Sequence, residues 1–332
     1  MTTETYWIHD LILEVRSERP EVLRAIRRRL LAYTDPGVRS SSDIVEVDIG
    51  AHGRLPRPPV GGRPVYDSPV ADVSYHDADD LLVVDGSDLV EMVADLGAGA
   101  VRMSVLRDCE EAWALCAHPL LTLCVLELMK RRRCYPLHAG GVVVEEGAVL
   151  LPGASGAGKT TLTTALLEAG AGFLSDDMVF LRSRAGGHSG DRLEVLSFAD
   201  ELDVTDTTAA MFTELADLVG LSPPSGRTKH QVRAEERFGS RVVDRAPVLA
   251  VVLPTIAPGP RSTIRRADAG DLLATLAPNV LLTDPAASQG HFDMLAELVD
   301  AAPVYRMDVG HDLGAATSVI LHALADGQEP SR

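Results

Sequence analysis

The spacing of apolar and polar positions along the chain predicts a mixed α/β protein in two parts. In the first part, residues 7–15 have the pattern of a strand and residues 20–33 that of an amphipathic helix. Further short strands are expected at residues 44–49, 71–75, 81–84 and 101–106. Residues 54–69 are rich in proline and contain a Gly-Gly pair, so we expect a loop or linker there. These elements predict a small N-terminal α/β domain over residues 1–115, with a mostly β domain as the alternative, and we expect it to have a role in substrate recognition.

The second part begins with a long helical pattern and continues with strands. Residues 110–132 are expected to be helical with a break at Pro119, and residues 120–129 are apolar on nearly all faces, which predicts burial. Two apolar runs within residues 141–151 flank Glu-Glu-Gly, which predicts a tight hairpin. A buried strand is expected at residues 248–253, and closing helices at 285–299 and 313–324. We assign this second domain to residues 116–328.

Composition and charge narrow the classes of function. The 332 residues are 46% hydrophobic and 24% charged, as in ordinary soluble proteins, and the formal net charge is −17. Such an acidic chain is poorly suited to nucleic acids or anionic membranes, because both attract basic surfaces. The longest apolar run, at residues 120–129, is too short to span a bilayer, and the first residues lack the features of a signal peptide. We therefore expect a cytoplasmic protein without a nucleic-acid or membrane partner, while homo-oligomer formation stays open.

The four cysteines give no sign of a metal site. Cys109, Cys116, Cys124 and Cys134 are seven, eight and ten residues apart and form no CxxC pair. Zinc ligands usually lie closer together, so we expect buried thiols on helices. A chain of this length can bury a sizeable core without disulfide bonds.

A glycine-rich segment carries the strongest functional motif in the chain. Residues 153–160 read Gly-Ala-Ser-Gly-Ala-Gly-Lys-Thr, the complete GxxxxGK[ST] pattern, between an apolar strand and a helical pattern that Gly170 would end. Its glycines allow backbone N–H groups to face phosphate oxygens, Lys159 would reach the β- and γ-phosphates, and the Thr160 hydroxyl would bind Mg²⁺. The expected nucleotide-binding residues are Gly153, Ala154, Ser155, Gly156, Ala157, Gly158, Lys159, Thr160 and Thr161. ATP and Mg²⁺ are the expected cofactors.

An acidic pair, Asp176-Asp177, follows only seventeen residues after Lys159. That interval accommodates one helix and one turn back into the sheet. Two aspartates at a strand junction can supply a Mg²⁺ contact and a general base, and an ordinary solvated turn is the alternative. Their spacing does not decide which aspartate has which role.

His138, the hairpin, the P-loop and the close aspartate pair occur in an order and spacing that resemble the catalytic domain of HPr kinase/phosphorylase. The segment Pro303-Val-Tyr-Arg-Met-Asp also looks like a strand of such proteins. The resemblance covers residues 134–181 well and extends weakly to about residue 325. It implies an α/β fold with a mixed-sheet P-loop kinase core, as in HPr kinase and phosphoenolpyruvate carboxykinase.

The resemblance also implies roles for individual residues. His138 would lie near the transferred phosphoryl group, and Lys159 and Thr160 would bind the nucleotide phosphates and Mg²⁺. Asp177 would act as the base that accepts the proton of the hydroxyl acceptor, while Asp176 would help to place the metal. The bifunctional enzymes carry an Arg-Gly sequence after the aspartate pair, and its absence here makes phosphorylase activity unexpected.

Two basic segments are further candidates for contacts with ligands. Residues 221–230 form a predicted loop in which Arg227 and Lys229 would be able to contact substrate or phosphate, and a solvated loop is the alternative. Residues 131–133 are three arginines at the end of a predicted helix. Cations are favoured at that end by the helix dipole, and contact with an acidic substrate is the alternative.

The sequence thus favours an ATP- and Mg²⁺-dependent kinase that transfers the γ-phosphate to an alcohol. The acceptor would be a serine hydroxyl of a peptide or protein, or a small hydroxylated metabolite. The alternative is an ATP-binding regulatory switch without phosphotransfer. Asp177 distinguishes the two, because a switch has no need of a general base.

Overall fold

The computed structural model describes residues 1–35, 43–50, 53–56, 62–68, 71–76, 80–184, 193–223, 229–276 and 285–328. The chain divides into two compact units. Met1–Cys134 with Leu281–Gly290 form the first unit, and Tyr135–Val280 with His291–Arg332 form the second. The sequence suggested a boundary after residue 115, whereas the units divide after Cys134.

The first unit contains a mixed sheet with eight described strands in the order β1-β2-β3-β8-β7-β6-β5-β4. The strands are β1 (Thr2–Ile8), β2 (Leu11–Ser17), β3 (Ile44–Gly50), β4 (Arg63–Ser68), β5 (Ala71–His76), β6 (Leu81–Gly86), β7 (Val90–Asp95) and β8 (Ala100–Val105). The pairs β2–β3 and β3–β8 are parallel, and the others are antiparallel. Alternate residues such as Leu11, Leu13 and Val15 are fully buried, because successive side chains of a strand point to opposite faces.

The prediction of a single strand over residues 7–15, near the N-terminus, was wrong. The segment contains a turn at His9 and Asp10, and β1 and β2 pair antiparallel on either side of it. His9 has φ of 54°, the left-handed conformation that such a tight reversal uses. The apolar run hid the turn, because both strands bury side chains next to it. Strands β4 and β7 were also missed; β4 lies in the proline-rich stretch at an edge of the sheet, where proline is tolerated.

Helices of the first unit follow the predicted apolar faces with different ends. Helix α1 spans Pro20–Arg29 and is followed by a short 3₁₀ turn at Leu31–Tyr33. Helices α2 (Glu110–Leu115) and α3 (Thr122–Arg131) flank a π-helical segment in which His118 has non-helical φ and ψ of −149° and 125°. The structure thus confirms the helical path and its interruption beside Pro119.

The sequence suggested that the apolar run at residues 120–129 is too short to span a bilayer, but the longer helical stretch Glu110–Arg131 has the length and apolar character that a bilayer-spanning helix needs. However, 72% of its most apolar window is buried inside the fold, as in the core helix of a soluble protein. It also carries charged residues that are paired within the same unit: Lys130 contacts Glu127 at 2.8 Å, and Arg131 forms an ion pair with Asp80. Arg132 in turn lies 3.3 Å from Asp43. The basic run at 131–133 is therefore largely engaged in structural contacts.

The second unit contains a mixed sheet around the glycine-rich loop, together with helices and a small two-stranded sheet. Its strands are β9 (Tyr135–Val144), β10 (Gly147–Pro152), β11 (Gly172–Ser175), β12 (Met178–Ser183), β13 (Leu193–Leu196), β14 (Leu202–Val204), β15 (His230–Val232), β16 (Arg245–Ile256), β17 (Thr263–Arg266) and β18 (Val304–Val309). Its helices are α4 (Lys159–Glu168), α5 (Asp206–Ala209), α6 (Ala234–Phe238), α7 (Ala269–Leu276), the part of α8 (Pro285–Ala301) from His291 onward, and α9 (Leu313–Gln328), with a 3₁₀ turn at Thr213–Leu218. The mixed α/β class predicted from the sequence is confirmed.

Two long strands organise this sheet. Strand β9 pairs with β12 along its first residues and with β10 and β11 along its last, always antiparallel. Strand β16 pairs antiparallel with β13 and then parallel with β10 and β18. The pairings β10–β9–β12–β13–β16–β10 close a ring, with an apolar core that includes Leu137, Leu150 and Val251. Strand β10 therefore has an antiparallel neighbour on one side and a parallel neighbour on the other.

Candidate phosphate- and metal-binding site

The glycine-rich loop joins the end of β10 to the start of α4, as the sequence predicts. Gly156 and Gly158 have φ of 81° and 98°, conformations that residues with a β-carbon rarely adopt. Gly158 directly precedes the first turn of α4, where helical N–H groups have no partner within the helix. Ala154, Ser155 and Gly156 are exposed at the tip of the loop. This geometry presents backbone donors at the positive end of a helix dipole, which suits a phosphate group.

Lys159 lies at the base of the loop and is 9% exposed. Its ammonium group donates hydrogen bonds to the carbonyl oxygens of Gly153, at 2.8 Å, and Ala154, at 3.2 Å. Burial lowers the pKa of Lys159, while the nearby charges of Asp176 and Asp177 act in the opposite direction. A cation held among loop carbonyls is well placed to exchange them for phosphate oxygens.

Thr160 and Asp176 meet beneath the loop. The Thr160 hydroxyl donates to Oδ2 of Asp176 at 3.0 Å, and the backbone N–H of Asp203 donates to the same oxygen at 3.2 Å. Asp176 is 4% exposed, and among the described residues its Oδ1 is a buried oxygen without a hydrogen-bond partner. Burial raises the pKa of Asp176 to about 7, although the two donors oppose that shift.

Asp177 occupies a different environment from its neighbour. Its side chain is 54% exposed, and Oδ1 lies 3.2 Å from Nδ1 of His138. This contact follows from the sheet register, because β9 and β12 pair His138 with Met178. Ser175 fixes the turn: its hydroxyl donates to the Phe198 carbonyl and accepts the backbone N–H of Asp177.

His138 is half-buried beside this carboxylate. Burial lowers the pKa of His138, while the charge of Asp177 acts to raise it and the charges of Lys159 and Lys229 act to lower it further. The structure therefore brings His138, Lys159, Asp176 and Asp177 into one electrostatic neighbourhood. The sequence singled out all four residues, and their roles stay a prediction.

Asp203 is a member of the site that the sequence analysis missed. It lies in β14, and its carboxylate accepts a hydrogen bond from Gln231 at 3.3 Å and lies 3.9 Å from the Lys229 ammonium. The pairing of β14 with β15 brings these residues together. In the sequence, Asp203 is only the polar position between the buried residues Leu202 and Val204, so the local pattern carries no signal for it.

The other predicted contacts are placed as follows. The Thr161 hydroxyl lies 3.1 Å from the hydroxyl of Thr208, at the end of the short helix α5. The ammonium group of Lys229 lies 3.9 Å from Oδ2 of Asp203, and its charge acts to lower the pKa of both Lys159 and His138. Arg227, predicted as a contact with substrate or phosphate, lies outside the described residues.

The donor set fits a Mg²⁺ ion bound together with a nucleotide. Within the described ranges, no three His, Cys, Asp or Glu side chains converge as a protein-only metal site. Mg²⁺ commonly binds one or two protein oxygens and completes its shell with water and substrate phosphates. The Thr160 hydroxyl and the unpartnered Oδ1 of Asp176 are oxygens of this kind, next to the phosphate-binding loop.

Comparison with solved structures gives a distant similarity. No protein-family profile matches the chain, and no curated protein matches it. A solved structure described as the Hpr(Ser) kinase/phosphatase from Coxiella burnetii is 14% identical, with 58% of this chain and 99% of that chain covered and a TM-score of 0.31. Similarity at this level does not show family membership, so the function has to be inferred from the site itself.

Proposed function

We propose that this protein is an ATP- and Mg²⁺-dependent phosphotransferase that transfers the γ-phosphate to a hydroxyl group. The observation that carries the proposal is the different environment of two adjacent aspartates. Asp176 is buried against the P-loop Thr160, and Asp177 is exposed against His138. Phosphoryl transfer needs both a metal site next to the phosphates and an accessible base next to the attacking oxygen.

The residues of the P-loop would hold and neutralise the phosphates. Backbone N–H groups of residues 153–160 and the Lys159 ammonium would bind their oxygens, and the γ-phosphate would then face the aspartate pair. Thr160 and Asp176 would hold the metal. When bound, Mg²⁺ supplies positive charge that offsets the charge developing on the transferred group.

Asp177 would accept the proton of the acceptor hydroxyl. Its exposed carboxylate can be reached by a substrate, whereas the buried Asp176 cannot. The imidazole of His138, 3.2 Å away, would orient the carboxylate. An accessible base suits a serine of a peptide or protein as well as a small hydroxylated metabolite, and recognition of the acceptor is assigned to the N-terminal unit.

The test is transfer of labelled phosphate from ATP to peptide and metabolite acceptors. We expect Lys159→Ala to abolish transfer with the fold intact. Asp177→Asn should retain MgATP binding and lose transfer by about 10²- to 10⁴-fold, the usual contribution of a general base. Asp308→Asn, an exposed aspartate on β18, is the matched control and should behave like the wild type.

The same variants test the alternative of a nucleotide switch. A protein in which ATP only changes the conformation needs no proton acceptor. In that case Asp177→Asn would bind MgATP and retain every nucleotide-dependent output, and the phosphotransferase proposal would be wrong.

A further inference from the structure

Ile256 is an exposed isoleucine directly beside the phosphate-binding loop. Its relative exposure is 58%, although the preceding residues of β16, such as Val252 and Leu253, are buried. A β-carbon placed on Gly158 would lie only 3.3 Å from Cγ1 of Ile256, so this side chain packs against the loop. Neither the metal site nor the base uses it. Removing the apolar surface of this side chain from water would be favourable, and a bound ligand can cover it.

The topology puts Ile256 on the side of the loop away from the aspartates. Asp176 and Asp177 lie between β11 and β12, both of which pair with β9 on one side of β10. Ile256 ends β16, which runs parallel to β10 on the other side. A triphosphate whose γ-phosphate faces Asp177 would therefore be able to extend its nucleoside toward β16.

The segment that follows Ile256 forms a well-anchored, mainly apolar turn. Residues 257–260 read Ala-Pro-Gly-Pro, and backbone hydrogen bonds tie this turn to the end of β18 and to the start of α9. The Ala257 N–H donates to the Val309 carbonyl, and the His311 N–H donates to the Gly259 carbonyl. At Gly310 a β-carbon would lie 2.5 Å from the Pro260 carbonyl oxygen, so the two segments are in close contact. The turn that follows Ile256 is thus held in place by these hydrogen bonds and close contacts.

We propose that Ile256 and the turn at residues 257–260 form the surface on which the nucleoside of the bound nucleotide rests. The side chains of this surface, Ile, Ala and Pro, make apolar contact with the face of a base and offer it no hydrogen bonds. The surface should therefore favour a nucleoside over an inorganic phosphate chain and discriminate weakly between ATP and GTP. This inference rests on the proposed function only for the binding of a nucleoside triphosphate at the P-loop.

The test compares MgATP with magnesium tripolyphosphate, which has the phosphates but no nucleoside. Calorimetry on the full chain should show that Ile256→Asn weakens MgATP binding by about three- to tenfold, the effect of losing part of one aliphatic contact. Tripolyphosphate should bind the variant and the wild type equally. Leu273→Asn removes an exposed aliphatic side chain elsewhere in the same unit, 41% exposed on α7, and should change neither affinity.

Each other outcome has a distinct meaning. Equal weakening of MgATP and tripolyphosphate would show that Ile256 acts only by shaping the loop, and an unchanged MgATP affinity would place the nucleoside elsewhere; either result overturns the inference. A wild-type chain that binds neither ligand would refute the proposed function as well. A chain that binds both and transfers no phosphate would refute phosphotransfer while leaving the nucleoside surface supported. If Ile256→Asn melts well below the wild type, Ile256→Ala gives the same comparison.

Discussion

At the scale of single residues, the environment gives two adjacent aspartates opposite properties. Asp176 is buried against Thr160 and the backbone of Asp203, and its pKa is raised to about 7 mainly by loss of solvent. The carboxylate of Asp177, the next residue, is exposed and lies 3.2 Å from the imidazole of His138. A buried carboxylate next to a hydroxyl suits a metal, and an accessible one suits proton transfer.

Replacing Asp176 should remove the metal-dependent part of nucleotide binding. We expect Asp176→Asn to weaken MgATP binding by about tenfold or more, because an amide cannot replace a charged ligand of Mg²⁺. Binding of ATP in the presence of a chelator should be unchanged. Calorimetry with and without Mg²⁺ measures both. If Asp177→Asn lost the Mg²⁺ dependence instead, the two roles would have to be exchanged.

Burial also makes two cysteines unreactive. Cys116 and Cys124 are fully buried, and burial raises the pKa of each to about 12. Since the thiolate is the reactive form, both should remain unreactive from about pH 6 to pH 9, and reaction would increase only toward more alkaline solution. We expect an aromatic disulfide reagent to modify the half-buried Cys109 in the folded protein, and Cys116 and Cys124 only after unfolding. Rapid modification of Cys124 in the folded state, located by peptide mapping, would contradict this.

At the scale of elements, the site depends on strands that approach very closely. Strand β10 carries the phosphate-binding loop and pairs in parallel with β16, which ends at Ile256. A β-carbon at Gly147, the first residue of β10, would lie 2.5 Å from Cβ of Leu249 in β16. Only glycine therefore allows this approach without a shift of the backbone.

Gly147→Ala should destabilise the second unit. Relief of the clash requires movement of β10 or β16, and overpacking of this kind costs about 1–3 kcal/mol. Chemical denaturation followed by circular dichroism measures the loss. The matched control is Gly314→Ala in the first turn of α9, where the nearest atom would be Oδ1 of Asp312 at 3.7 Å. That variant should be neutral or stabilised by up to about 1 kcal/mol, and an equal loss in both variants would exclude the packing explanation.

At the scale of the whole molecule, the candidate site is contained in one of two compact units. His138, the loop at residues 153–160, the aspartate pair and Asp203 all belong to the second unit. The first unit supplies a large mixed sheet with internally paired charges. A ligand that binds the folded second unit and not the unfolded chain stabilises that unit, and the stabilisation grows with the ratio of free ligand to its dissociation constant.

Hydrogen exchange should locate nucleotide binding in the second unit. Saturating MgATP should slow exchange in the peptides that contain residues 153–161 and 176–177, because the loop amides become hydrogen-bonded. Strands β1–β8 should exchange at unchanged rates in the same experiment. Lys159→Ala provides the control and should show no protection. Protection that appears only in the first unit would place the nucleotide elsewhere.

The sequence by itself determined the features that depend on neighbouring residues. The strand, glycine-rich loop and helix around Lys159 were predicted because the motif, its flanking apolar runs and the terminating Gly170 are contiguous. The hairpin between β9 and β10 was predicted for the same reason. The kinase family that these motifs resemble, and with it the acceptor, stays a prediction.

Only the tertiary structure decided how distant segments meet. The contact between His138 and Asp177 depends on the register of β9 against β12, and Asp203 reaches Asp176 through a separate strand pair. Asp176 is buried and Asp177 is exposed because the turn between β11 and β12 packs one of them against the phosphate-binding loop. The spacing from Lys159 does not decide which of the two aspartates is buried. The turn at His9 was hidden in an apolar run because strand pairing, rather than local composition, reverses the chain there. The phosphate-binding loop depends on consecutive residues, whereas burial and charge at this site depend on the pairing of strands that lie far apart in the chain.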